Sequence, residues 1–304
     1  MYEERPSRLP GAFVWRRTAG PRPGAGRVLP DGCMDLLWWR GELVVAGPDT
    51  VAYESRLDPG ETIVGLRFAP GMAPAALGVP ADELRDARVP LSALWPASLV
   101  RETAERMGTA PERIAVAPGW VGAFPGRIGA APERVGAAAE RVGAVPGRIG
   151  AAAERVGAAA ERVGAFPGRV GAVPGRIGAA PERIGAAAGR VLEDLAVRRV
   201  AAAGGPDRAV RAVVSLLRAG TPVADVAGEV GLSERQLHRR SLTAFGYGPK
   251  TLARILRLER ALALARAGRP LAEVAAESGY ADQAHLSRDA RALGGAPMGQ
   301  LIRP

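Results

Sequence analysis

Three basic side chains lie close together in the segment SERQLHRR: Arg235, His238 and Arg239. Leu237 and Phe245 have the spacing of an inward-facing helical stripe, so these basic side chains are expected on the opposite face. A guanidinium can donate two hydrogen bonds to O6 and N7 of guanine, which suits recognition in the DNA major groove. We interpret the three as base-contacting residues. The alternative is an ordinary amphipathic helix with a solvated basic face.

The residues before this segment have the pattern of a helix-turn-helix. Val223, Val226 and Val230 form one apolar helical face. Gly231 permits the turn, and Ser233 can cap the second helix, which carries the basic residues. The sequence therefore predicts two short helices that place the basic face outward.

A second copy of the motif follows, with the sequence PLAEVAAESGYADQAHLSR. Gly279 marks its turn and Asp282 can cap its second helix. The outward positions of that helix are Gln283, Ala284, Ser287 and Arg288. Residues 249–267 form an amphipathic spacer helix between the copies. Two units on a rigid spacer would address successive major grooves about 34 Å apart.

The ordered motifs SERQLHRR, FGYGP, RLERALAL and LAEVAAESGYADQAHLSR resemble the DNA-binding domain of the AraC/XylS regulators over residues 206–301. The resemblance implies a transcription regulator whose partner is double-stranded DNA, with RNA polymerase as a further candidate partner. It places the base contacts on the same seven positions that the helical faces select. At four positions the chain lacks the large apolar residue or the closing proline that is usual in the family. These departures predict that the second unit is less tightly packed. These positions are Ser241, Ala290, Gly294 and Met298.

The N-terminal part reads as a small antiparallel sheet or barrel. Apolar runs at residues 12–17, 34–39, 42–46 and 62–68 are separated by turn-forming pieces. Helices are expected over 80–95, with Asp82 as a cap, and over 97–107. The pieces LPDGCMDLLWW, AGPDT, GLRFAPG, LGVPADELRD and VPLSALWP resemble a domain of unknown function that precedes this DNA-binding module in one actinobacterial-style subgroup. That resemblance implies a cupin-like barrel.

No residue set for catalysis is evident. Metal-dependent barrels of this shape normally use clustered histidines, but the two histidines of the chain, His238 and His285, belong to the predicted DNA-binding helices. The acidic residues of the turns, Asp31, Asp35 and Asp49, could hold a hard cation, although ordinary turn chemistry is the better reading. Walker, Rossmann and nucleophile-elbow motifs are absent from the sequence. We expect no enzyme and no cofactor.

The single cysteine and a tryptophan pair are the remaining candidates in this part. One cysteine cannot form an intramolecular disulfide, which indicates a reducing, cytoplasmic compartment. Cys33 is either a thiol sensor or a buried structural residue, and the lack of a basic sequence neighbour favours the second reading. If Trp38 and Trp39 alternate on a strand, one faces the core and the other solvent, where it could stack on an aromatic effector. No apolar run reaches the roughly 20 residues of a membrane span.

A tandem heptad rich in Gly, Ala, Pro and Arg fills residues 108–191. Each unit has one strong apolar position, and proline recurs in mid-unit, so only short helical turns are expected. We interpret the repeat as a flexible linker; the alternative is a basic arm that follows DNA phosphates. Residues 1–107 carry a net charge of −1, residues 108–191 carry +5 and residues 192–304 carry +6. A polyanionic partner should therefore meet the C-terminal part.

These observations predict an α+β multidomain protein. Residues 1–107 form a small antiparallel β-barrel with helices, residues 108–191 a linker, and residues 192–304 an all-α double helix-turn-helix domain. The N-terminal domain senses a small-molecule effector in one interpretation and only mediates homodimerisation in the other. A DNA repair enzyme that borrows such a binding module is a third class, disfavoured because no nucleophile is evident.

Overall fold

The computed structural model describes residues 1–22, 24–108 and 181–303. The predicted linker function of the repeat, up to residue 180, lies outside the described residues. The N-terminal part has eight strands: β1 (Tyr2–Pro6), β2 (Phe13–Thr18), β3 (Gly24–Val28), β4 (Met34–Trp39), β5 (Glu42–Ala46), β6 (Tyr53–Leu57), β7 (Thr62–Phe68) and β8 (Arg88–Pro90). The helices of this part are α1 (Ala73–Leu77), α2 (Ala97–Gly108) and α3 (Pro181–Ala202).

Six strands form one antiparallel sheet in the order β1-β2-β7-β4-β5-β8, and β3 pairs with β6 in a second, two-stranded sheet. Leu36 of β4 lies opposite Val45 on one side and Leu66 on the other. The predicted strands at 34–39, 42–46 and 62–68 coincide with β4, β5 and β7. The small antiparallel β-domain is confirmed.

The six-stranded sheet is buried on both faces. One face packs against α1, α2 and α3, where Leu36, Leu66 and Phe68 are almost fully buried. The other face is covered around Trp39 and Ile63, which form a second apolar cluster with Leu57 of β6. Because side chains alternate along each strand, the same strands supply different residues to the two clusters. Trp38 and Trp39 lie on opposite faces of β4, as their alternation predicts: Trp39 is 6% exposed, and Trp38 is half-buried against the helical side rather than fully exposed to solvent.

The prediction of a helix over residues 80–95 is wrong. The chain forms a 3₁₀ turn at Ala81–Leu84, then β8, then a second 3₁₀ turn at Leu91–Ala93. Asp82 lies inside the first turn and makes no cap; the residue before that turn is Pro80. Asp86 has a φ of 56°, which ends any right-handed helix at that point. Val89 pairs with Val45, so the segment completes the sheet edge.

Helix α3 begins within the repeat and packs against the N-terminal part. Ala188, Leu192 and Ala196 are buried against the sheet. Gly189 permits this close approach, because a methyl group there would lie 2.7 Å from Cγ1 of Val14. The predicted boundary between residues 191 and 192 falls inside this helix, and residues 181–191 form more than the short turns expected of them.

An ion pair and hydrogen bonds attach α3 to the N-terminal residues of the chain. The carboxylate of Glu193 accepts hydrogen bonds from the guanidinium of Arg5 at 3.1 Å and from the backbone N–H of Arg8 at 2.7 Å. Burial raises the pKa of Glu193, but these hydrogen bonds outweigh it and lower the pKa to about 2. Glu193 is therefore ionised and holds β1 and α3 together.

The C-terminal part is all helical, as predicted. It comprises α4 (Arg208–Ala219), α5 (Val223–Glu229), α6 (Glu234–Phe245), α7 (Pro249–Arg266), α8 (Leu271–Glu277), α9 (Gln283–Gly294) and α10 (Met298–Leu301). Helix α7 is the core of this part, with Leu252, Ile255 and Leu258 at most 1% exposed. Within the described ranges, none of the helices has the length and apolar character that a bilayer span requires.

Candidate nucleic-acid interface

The first helix-turn-helix unit consists of α5, the turn at Gly231 and α6. Gly231 has a φ of 66°, a left-handed conformation that favours glycine. Ser233 caps α6 as predicted: its Oγ accepts from the N–H of Gln236 at 3.3 Å. The side chain of Gln236 accepts in return from the N–H of Ser233 at 2.9 Å. This reciprocal capping box fixes the start of the recognition helix.

The recognition face of α6 is exposed. Leu237 is 2% exposed and anchors the helix, whereas Arg235, His238 and Arg239 all lie on the exposed surface. In the part of the chain that the structure describes, the guanidinium groups of Arg235 and Arg239 form no ion pair. The His238 ring lies beside the next turn, where a methyl group at Gly248 would be 3.1 Å from its Nε2. The two arginines are therefore available to a ligand.

Arg240, the next residue along α6, extends toward an acidic residue. Its Nη1 lies 3.9 Å from the carboxylate of Asp207. Asp207 caps α4 and accepts from the N–H of Ala209 at 2.8 Å. Arg240 therefore extends toward an acidic neighbour of its own domain.

The second unit consists of α8, the turn at Gly279 and α9. Gly279 makes the turn as predicted, with a φ of 77°, and Tyr280 beside it is buried in the core. Asp282 caps α9 by accepting from the N–H of His285 at 2.6 Å. Three of the four predicted contact residues are exposed and Ser287 is half-buried; the exposed ones are Gln283, Ala284 and Arg288.

A buried carboxylate in α9 was missed by the sequence analysis. Asp289 is 6% exposed and accepts a hydrogen bond of 2.6 Å from Nη2 of Arg254 on α7. This hydrogen bond raises the pKa of Arg254. The pair fixes the second recognition helix on the spacer helix.

The four departures from the family pattern do not loosen the second unit as expected. Ala290 and Met298 are buried, and the space at Gly294 is taken by Leu301 and by Leu29 of the N-terminal domain. The fourth departure, Ser241, lies in the first unit. There, Ser241 is 1% exposed, and it lines a cavity of about 10 Å³. Its hydroxyl has no hydrogen-bond partner among the described residues.

The acidic residues of the N-terminal turns are engaged by protein groups. Asp35 accepts from the indole of Trp15 at 2.7 Å and lies 3.5 Å from Arg67. Asp49 pairs with Arg88 at 2.7 Å, while Asp31 accepts from the N–H of Cys33 in a turn. Across the described ranges, no three His, Cys, Asp or Glu side chains are grouped as metal ligands would be.

The thiol of Cys33 is poorly suited to act as a redox sensor. Burial raises the pKa of this thiol, and the nearby Asp31 carboxylate raises it further. A thiol with a raised pKa has little of the reactive thiolate at neutral pH. Cys33 itself is half-buried, and its raised thiol pKa argues against a sensor role.

Two capped recognition helices on one spacer define a DNA-binding protein, and comparison with known proteins agrees. Residues 226–303 match the family described as Helix-turn-helix domain. Residues 12–90 match the family described as Domain of unknown function, DUF6597. The chain thus carries an AraC-type helix-turn-helix domain, the DNA-binding module of transcription regulators, behind this N-terminal domain.

Among solved structures, ToxT from Vibrio cholerae is similar at low identity. The structure at 1.65 Å resolution has 10% identity and a TM-score of 0.35, covering 99% of this chain and 98% of ToxT. ToxT from strain SCE256 with a bound unsaturated fatty acid has 10% identity and a TM-score of 0.40, covering 99% and 97%. Similarity at this level establishes no shared ligand. No curated protein matches the chain.

Proposed function

We propose that this protein is a sequence-specific transcription regulator that binds promoter DNA through both helix-turn-helix units. The observation that carries the proposal is the exposed face of α6, where Arg235 and Arg239 have no acidic partner in the described part of the chain. Both belong to a helix whose start is fixed by a capping box. A rigid helix with available guanidinium groups suits bidentate contacts to guanine.

The second unit would contribute a further set of contacts from α9. Gln283, Ala284 and Arg288 are exposed there, and Ser287 is half-buried. Gln can pair with adenine and a small apolar side chain can contact the thymine methyl group. His238 completes the set on α6. The spacer helix α7 packs against both units, so the two faces would meet the DNA together.

The distribution of charge supports a polyanionic partner for this domain. Residues 192–304 carry a net charge of +6, whereas residues 1–107 carry −1. Contacts between arginine and phosphate release counterions, so affinity should fall steeply as salt increases.

We further propose that the N-terminal domain responds to a small-molecule effector. An open groove of about 460 Å³ lies between β1, β2 and α3, and charged and aromatic side chains line it, among them Arg5, Trp15 and Arg16. The competing proposal is that this domain only mediates self-association. Light scattering of the full chain and a thermal-shift screen of small molecules separate these two proposals. A monomeric protein that a compound stabilises against heat supports the effector proposal.

A binding-site selection tests the proposed function. The full chain is incubated with a random duplex library, and bound sequences are amplified and read. We expect a shared sequence with two half-sites about one helical turn apart. Bound sequences without any common element would contradict sequence-specific binding.

A further inference from the structure

Several turns of the N-terminal domain touch the helix-turn-helix domain, and they come from the sequence pieces that the proposed function leaves unexplained. Gly32 belongs to LPDGCMDLLWW, Pro48 to AGPDT and Gly71 to GLRFAPG. Ala81 and Arg85 belong to LGVPADELRD. We call this set the docking turns. Their common position indicates a shared role at the joint between the two domains.

The docking turns first meet the C-terminal end of the recognition helix α6. Nη1 of Arg85 donates a hydrogen bond of 3.0 Å to the carbonyl oxygen of Gly246, the residue that ends α6. A methyl group at Gly246 would lie 2.5 Å from Cγ of Pro48 and 3.1 Å from the carbonyl oxygen of Ala81. The end of α6 is therefore in direct contact with two of these turns.

Gly71 makes an equally close approach to the first unit. It has a φ of 81°, and a methyl group there would collide with Cγ1 of Val210 and lie 2.9 Å from Cε1 of Phe245. Val210 belongs to α4 and Phe245 to α6. Only glycine allows this turn to reach both helices.

The same surface also reaches the spacer helix and the second unit. A methyl group at Gly32 would lie 3.2 Å from Cδ1 of Leu252 on α7. The N–H of Ala52, close to Pro48 in sequence, donates a hydrogen bond of 2.7 Å to the carbonyl oxygen of Leu293 on α9. Leu29 packs beside Gly294 at the end of α9. One face of the N-terminal domain thus touches both recognition helices and the helix between them.

We propose that the docking turns form a platform that holds the two recognition helices in one fixed relative orientation. The predicted contact residues of α6 and α9 remain exposed or half-buried in the docked arrangement, so docking leaves both faces open to DNA. Two faces already oriented lose less freedom on binding two half-sites than two faces that move independently. This inference rests on the proposed function and adds a role for the N-terminal domain in affinity.

The test replaces Arg85 by Glu in the full chain, which sets a carboxylate against the carbonyl oxygen of Gly246. Arg56→Glu is the matched control, because it makes the same change of charge at a side chain that is 83% exposed on β6. Each protein is titrated with the selected duplex and with the same duplex after its second half-site is scrambled. We expect Arg85→Glu to weaken two-site binding about tenfold and to change one-site binding less than about twofold. Arg56→Glu should leave the ratio of the two affinities at its parent value.

Hydrogen exchange at the Ala52 amide provides a readout that needs no DNA. The parent should protect this amide, and Arg85→Glu should expose it. If the Ala52 amide exchanges freely in the parent protein, the two domains are not docked. If Arg85→Glu loses protection at Ala52 but keeps the parent ratio of two-site to one-site affinity, docking does not orient the recognition helices. If Arg85→Glu does not fold, Arg85→Ala removes the same hydrogen bond with the same expected direction. A selection without a shared sequence contradicts the proposed function alone, since exchange at Ala52 still decides the docking.

Discussion

The two helix-turn-helix units have the same backbone plan and different surface chemistry. In both, a left-handed glycine makes the turn and an oxygen-bearing side chain caps the second helix. The first recognition helix presents two arginines, Arg235 and Arg239, without acidic partners in the described ranges. The second presents only Arg288 among its contact positions and carries a buried carboxylate, Asp289, tied to the spacer helix.

This difference indicates a division of labour. Arginine discriminates guanine through two hydrogen bonds, whereas a surface with one charge and small side chains makes fewer such contacts. The fixed position of α9 suits a helix that positions the protein on DNA. We expect the first unit to supply most of the base discrimination and the second to add a smaller share.

The largest expected effect concerns the stability of the second unit. Arg254→Ala removes the ion-pair partner of the buried Asp289 carboxylate, and because the Arg254 side chain is itself 46% exposed, the free energy of unfolding should fall by about 2 to 3 kcal/mol. Urea unfolding followed by circular dichroism measures the loss. Arg291→Ala is the control, because that side chain only donates to Ser287 within its own helix. Equal stability of the two variants would mean that the pair does not anchor α9.

The second effect compares affinity across the two units. Arg239→Ala should weaken binding to the selected duplex by about 2 kcal/mol, and Arg288→Ala by about 1 kcal/mol. Fluorescence anisotropy at one fixed salt concentration measures both. A larger loss from Arg288→Ala would reverse the proposed order of the units.

The smallest effect concerns the cavity in the first unit. Ser241→Ala removes a buried hydroxyl that has no hydrogen-bond partner within the described residues, so the free energy of unfolding should rise by about 1 kcal/mol. Thr243→Ala serves as the control, since the Thr243 hydroxyl already donates to the carbonyl oxygen of Arg239. Destabilisation by Ser241→Ala would show that the hydroxyl has a partner in solution.

The sequence predicted the parts of the fold that have a regular apolar pattern. Strands β4, β5 and β7 alternate toward two buried faces and were located correctly. Strand β1, YEERP, is exposed along its whole length and has no apolar signal to detect. Helix α3 begins at Pro181 in a repeat whose units look alike. Units without proline also occur earlier in the repeat, so the sequence of residues 181–191 does not indicate that a longer helix starts there.

The sequence also located the exposed faces and caps of the candidate site, through Ser233, Asp282 and the helical positions of the arginines. It could not locate the pair of Arg254 and Asp289, because contacts between residues 35 positions apart leave no spacing pattern. The docking turns were visible as glycine- and proline-rich pieces. Their sequence specifies a backbone conformation, while the surface that they contact depends on the tertiary fold.

The most direct test of base reading by the first unit is a binding-site selection performed in parallel on three proteins: the parent, Arg239→Ala and Arg240→Ala. Arg239 is exposed on the recognition face, whereas Arg240 lies 3.9 Å from Asp207 and serves as the internal control. We expect Arg239→Ala to lose preference at one base pair while non-specific binding persists, and Arg240→Ala to return the parent sequence. If Arg239→Ala returns the parent sequence unchanged, α6 does not read DNA through this face.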